Sequence, residues 1–78
     1  MNKIVTLGIM IQNFENIAQV NALLHRFSES IICRMGMPYE KRNIRLIHVV
    51  LDTKEEDANS LIDELNAING VVAQAMFF

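Results

Sequence analysis

Cysteine is almost absent from this 78-residue chain: Cys33 stands alone. A single cysteine excludes an intramolecular disulfide framework and fits a reducing compartment. Long apolar runs are missing too. The longest near the N-terminus, Ile4 to Ile11, falls far short of the roughly 20 residues a membrane span requires. Gln12, Asn13 and Glu15 end it without a small-residue cleavage site, so it does not read as a signal peptide. Neither charge is in large excess, with a formal net charge of −2. A nucleic-acid-binding domain normally carries a clear basic surplus, which argues against nucleic acid as a direct partner. Together these absences describe a soluble, cytoplasmic chain.

Apolar residues are plentiful. They make up 51% of the chain, which excludes disorder and leaves much apolar surface to place. Residues 1–78 read as one domain, of a size that buries only a modest core. Oligomerisation is a natural supplement at this length.

The sequence repeats one supersecondary phrase. Residues 3–37 read strand, helix, strand, and residues 44–78 read the same. In the first strand, Ile4 to Ile11, Val5, Leu7, Ile9 and Ile11 share one face, and Ile4, Thr6, Gly8 and Met10 the other. Gly8 marks either a bulge, a close approach by another chain or a tolerated glycine. Asn13 is placed to cap a helix whose apolar stripe is Ile17, Val20, Leu24 and Phe27, with Leu23 beside it. The second strand runs from Ile31 to Met37 and is expected to stop at Pro38, which cannot donate to a ladder. Tyr39 to Asn43 then form a charged connection.

Ile44 to Leu51 alternate as a third strand, apolar on both faces and therefore central. Thr53 with Glu56 suggests a capping box opening a second helix, whose stripe is Ala58, Leu61, Ile62, Leu65 and Ile68. Asn69-Gly70 is a helix stop, with Gly70 free to take positive φ. Val71 to Phe78 is the last strand.

The order β-α-β-β-α-β predicts an α+β ferredoxin-like sandwich: a four-stranded antiparallel sheet with two helices on one face. The first and third strands are expected at its centre. The uncovered face would present Thr6, Met10, Leu46, His48 and Val50. An apolar patch of that kind points to an interface, by default a symmetric homodimer or homotetramer built through the sheet.

Chemistry-bearing residues are few, and no catalytic motif stands out. Cys33, His25 and His48 are the usual soft or borderline metal ligands, but they are scattered over three elements, whereas zinc, nickel or copper sites need convergence. Their alternative roles are a small buried hydrophobe for Cys33, an interface histidine for His48 and a helix-surface residue for His25. A Cys–His nucleophile pair would need the two within hydrogen-bond reach, and nothing in the spacing puts them there. Four of the seven basic residues, Arg34, Lys41, Arg42 and Arg45, lie within twelve positions. Six of the nine acids lie between Asp52 and Glu64. These read as a basic hairpin and an acidic helix face, or as an anion or partner site at the hairpin. Arg34, flanked by Cys33 and Met35 in an apolar strand, either pairs with a carboxylate or recognises an anionic ligand. Gly36 permits close approach, and Pro38-Tyr39 offers a rigid exit with an aromatic contact.

The stretch Arg34-Met35-Gly36-Met37-Pro38-Tyr39 resembles the Arg-Met-Gly-x-Pro-Tyr signature of the iron-only hydrogenase system regulator family, the TM1266 type. Val20-Asn21-Ala22-Leu23-Leu24-His25 and Val49-Val50-Leu51-Asp52 resemble it too, so the likeness covers essentially the whole chain. Glycine is frequent in that family where Cys33 stands, which argues against Cys33 as a family ligand. The resemblance implies a ferredoxin-like fold related to ACT domains and to the C-terminal domain of nickel-responsive repressors. It also implies a link to [FeFe]-hydrogenase maturation. No ribbon-helix-helix or helix-turn-helix is recognisable in these residues, so any action on transcription would pass through a partner.

The reading that follows is a homo-oligomeric regulatory or ligand-sensing module, without an enzymatic activity or a resident cofactor. A small effector is expected at the subunit interface, contacted by Arg34, Gly36, Pro38, Tyr39 and His48. The alternatives are a nickel-type metal sensor using His25, Cys33 and His48, and an assembly factor that binds a hydrogenase-maturation or regulatory protein.

Overall fold

The computed structural model describes residues 1–78. Strands β1 (Asn2–Ile11), β2 (Ile31–Tyr39), β3 (Ile44–Lys54) and β4 (Val71–Phe77) form one antiparallel sheet in the order β2-β3-β1-β4. Helices α1 (Ile17–His25) and α2 (Glu55–Asn66) complete the ferredoxin-like β-α-β-β-α-β chain order, with β1 and β3 central as the doubly apolar strands require. No helix is long and apolar enough to cross a membrane.

The core lies between the sheet and the helices. Val5, Leu7, Ile9 and Ile11 from β1 and Ile47, Val49 and Leu51 from β3 are buried. They pack with Val20 and Leu24 of α1 and Ala58, Leu61 and Leu65 of α2. Ile17, Leu23, Phe27, Ile62 and Ile68 close its margins. Each fully buried aliphatic side chain contributes roughly 1.5–3 kcal/mol, which is why period-two and period-3.6 stripes fix this arrangement.

Local chemistry departs from the sequence reading at three points. Pro38 does not stop β2: it pairs opposite Arg45, and Tyr39 pairs opposite Ile44. An edge strand tolerates proline because one side of its backbone has no ladder to supply. The Thr53–Glu56 capping box does not form. Thr53 is buried within β3 opposite Lys3, and Lys54 takes the N-cap position of α2 without a side-chain cap. Glu55, Glu56 and Asp57 instead face the positive end of the helix, and Glu55 pairs with Lys3 at 2.6 Å. Gly8 makes no bulge, since β1 keeps continuous register with both neighbours. The sheet's irregularity falls between Ile31 and Cys33, on the edge strand.

Asn13 does cap. Its side chain accepts from the Glu15 N–H at 3.1 Å and opens a 3-10 turn, Phe14–Asn16, that leads into α1. Gly70 has φ 79°, as a helix stop requires. Asn43, also left-handed at φ 53°, ends another short turn, Glu40–Arg42, between β2 and β3.

Candidate functional site

Strand alternation gives the sheet two unlike faces. One is covered by α1 and α2. The other has no covering layer within the chain and carries the even-numbered residues of β1, β3 and β4. Register extends it across β2: Cys33 lies opposite Val50, Met35 opposite His48 and Met37 opposite Leu46. On β1, Met10 lies opposite Leu46 and Val72, and Gly8 opposite His48 and Gln74. From Thr6 to Met10 and their partners, this open face holds no lysine, arginine, aspartate or glutamate. Its exposed members include Met35, Met37, Leu46, Val72 and Met76.

A groove of ≈ 590 Å³ runs across the face. Gly8 forms part of its lining, flanked by Met10, Met35, Leu46 and Val72, with His48 and Gln74 as polar groups. A Cβ built on Gly8 would meet only the Gln74 carbonyl oxygen, at 3.9 Å. The missing side chain therefore makes room in the groove and answers no local backbone demand. Methionines suit such a surface because the thioether adapts to irregular partners.

The helix-covered side has its own feature at the β2 edge. Arg34 and Gly36 alternate onto that side, as does Arg45 of β3. Arg34 Nη2 donates to Asn21 Oδ1 of α1 at 2.5 Å. Within the chain this amide, and not a carboxylate, is the side-chain partner of Arg34. Ion pairs in the chain are Lys3–Glu55 and Arg26–Glu64, and neither involves Arg34 or Arg45. A cleft of ≈ 390 Å³ is lined by both arginines, Asn21, Gly36, Ile17 and Ile47.

The candidate metal ligands do not assemble. His25 ends α1, in the helical layer, while Cys33 and His48 share the open face on adjacent strands. No group of three His, Cys, Asp or Glu side chains is placed to hold a metal. Cys33 is exposed, contrary to the buried role considered for it, because β2 is an edge strand.

Comparison with known proteins adds to this geometry. Residues 3–75 match the family model "TM1266-like: Iron-only hydrogenase system regulator, putative". The chain belongs to the TM1266-like family. The solved structure of the uncharacterized protein TM1266 from Thermotoga maritima is similar throughout. It is 32% identical, with a TM-score of 0.94 over 100% of this chain and 99% of that one. None of the curated proteins compared with the chain matches it.

The segment that carries the TM1266-like resemblance, Arg34 to Tyr39, is the C-terminal part of β2. Its alternation divides the candidate residues between two faces. Arg34, Gly36 and Pro38 fall on the helix side, while Met35 and Met37 line the open groove with His48. Tyr39, 41% exposed, follows the alternation of Met37 at the strand's end. The sequence names Arg45 only within the basic cluster of a possible anion site, and does not name Asn21 as a site residue. Arg45 was legible in principle, since period two places it with Ile47 and Val49. Nothing in sequence announced Asn21, whose partner lies 13 residues away across a strand boundary.

Proposed function

We propose that this chain is a regulatory module of the iron-only hydrogenase system that works as a self-associated assembly, two copies meeting through their open sheet faces. The observation that carries this reading is the uncharged, methionine-rich centre of the open face, from Thr6 to Met10 and their partners, with Asp52 at its margin. A patch without formal charge gains nothing from a charged partner and loses apolar burial to water when alone. An identical face on a second copy has matching chemistry, and a two-fold contact sets each patch against itself. His48 and Gln74 are then the groups that hydrogen-bond across the contact and fix its register. Family membership supports the regulatory part of the reading.

A small effector is the signal in this proposal, bound by residues from the Arg34–Tyr39 segment. The two faces of β2 give such a ligand a route to the assembly, since one strand contributes Arg34 to one side and Met35 and Met37 to the other. The cytoplasm is the compartment that the unpaired, exposed Cys33 suits.

Intermolecular contacts test the proposal. A sample mixed from isotope-labelled and unlabelled protein should show nuclear Overhauser effects between copies at the methyl groups of Met10, Met35 and Met37. Intermolecular effects confined to α1 or α2 would reject the open face as the contact.

A further inference from the structure

We infer that the cleft between α1 and the β2–β3 edge is a binding site for a small organic anion, whose charged group is held between Arg34 and Arg45. This deepens the ligand-sensing reading above and rests on it only for the ligand's regulatory meaning. The geometry stands on its own. Arg34 and Arg45 reach one cleft from adjacent strands, on either side of Gly36, which sits opposite Ile47. Two guanidinium groups sharing a cleft repel each other unless an anion lies near them. No acidic residue lines the cleft, and neither arginine belongs to an ion pair.

Arg34 is also oriented. Asn21 Oδ1 accepts one of its hydrogen bonds at 2.5 Å. A guanidinium has five N–H donors in a planar fork, so the remaining donors stay available for a bidentate oxyanion contact. Gly36 leaves the space between the arginines free of a side chain: a Cβ there would meet only the Leu46 carbonyl oxygen at 3.8 Å and Ile47 at 3.9 Å. Ile17 and Ile47 give the cleft apolar wall, which suits a ligand with a short carbon body. The volume of ≈ 390 Å³ fits a metabolite-sized molecule. The shared ligand chemistry is a carboxylate or phosphoryl group on a small molecule.

Titration calorimetry at constant ionic strength tests this, with succinate, inorganic phosphate and glycerol 3-phosphate as probes and chloride as the control. Binding of at least one probe is expected, weakened at least tenfold by Arg45→Gln and by Arg34→Gln. Asn21→Ala is expected to weaken it less, since it orients Arg34 without touching the ligand. A preference for succinate assigns the site to carboxylates, and a preference for glycerol 3-phosphate assigns it to phosphate esters. No binding at millimolar probe, or equal binding by the Arg34→Gln/Arg45→Gln double variant, overturns the inference. Each variant is melted without probe to show that it folds. Sedimentation in the same buffers separates the two readings: a monomer that still binds the probe through both arginines retains this site and rejects self-association.

Discussion

Asn66 completes the outer edge of β4 by holding Ala73 through both of its backbone groups. Its Oδ1 accepts from the Ala73 N–H at 2.8 Å, and its Nδ2 donates to the Ala73 carbonyl at 3.0 Å. An edge strand leaves alternate N–H and C=O groups without a ladder. The last residue of α2 supplies the missing partner in a strand-like pattern. The contact ties the end of the second helix to the strand that follows it.

Replacing Asn66 with alanine should therefore cost about 2 kcal/mol, from two lost hydrogen bonds and a half-buried backbone left unpaired. In a domain of this size that lowers the melting temperature by roughly 8–16 °C. Asn66→Asp keeps the acceptor but sets a carboxylate against the Ala73 carbonyl, so it should also destabilise. Thermal melts of the two variants check both directions.

Gly70 is under two constraints at once. Its φ is 79°, and an added Cβ would meet Asn13 Cβ at 2.8 Å and the Asn13 nitrogen at 3.1 Å. Its carbonyl accepts from the Gln12 N–H at 2.7 Å, while Asn16 Nδ2 donates to the Asn69 carbonyl at 2.6 Å. The turn before β4 is thus packed onto the turn after β1. Gly70→Ala should destabilise by at least about 2 kcal/mol. A substitution at Gly8, which lacks both constraints, should leave the monomer fold intact. Urea denaturation of Gly70→Ala and Gly8→Ala side by side measures the contrast.

Much of this was legible in the sequence. Period-two apolar alternation named the buried face of β1 and β3 residue by residue, and the helical stripes named the buried face of α1 and α2. Those signals are strong because one stripe of each element must leave water. Pro38 and Thr53 misled because their local preferences were overridden by position in the sheet. Pro38 sits on an edge that asks nothing of its nitrogen, and Thr53 is held in β3 by pairing with Lys3. The site was legible only in part. Arg34 stood out as a charge among apolar neighbours and Arg45 as a member of the basic cluster, but their meeting depends on the β2–β3 register, and Asn21 on how α1 lies across the strands, which no local pattern encodes.

Thr6 tests the chemistry of the open face. Its Oγ1 is buried without a hydrogen-bond partner in the single chain. If the hydroxyl stays unpaired, Thr6→Val should stabilise the protein by about 1 kcal/mol, because an unsatisfied buried polar group is replaced by a methyl of similar shape. A destabilised variant would mean that the hydroxyl has found a partner within the sheet, since its oxygen is already closed to a second copy.

Cys33 reports on the same face. It is the sole thiol, exposed in the single chain, and lies opposite Val50 on the open side. Its reaction with a water-soluble disulfide reagent should be slow in the assembled protein and several-fold faster when assembly is blocked. Equal rates would place the contact away from this part of β2.

The most direct test of the central claim is sedimentation equilibrium at micromolar concentration, comparing the natural chain with Leu46→Lys. Leu46 is 37% exposed in the single chain, so a lysine can reach water there without entering the core. The account predicts at least twice the 8.9 kDa chain mass for the natural protein, and a folded 8.9 kDa monomer for the variant. A natural chain that sediments at 8.9 kDa, or a variant that stays assembled, would contradict it.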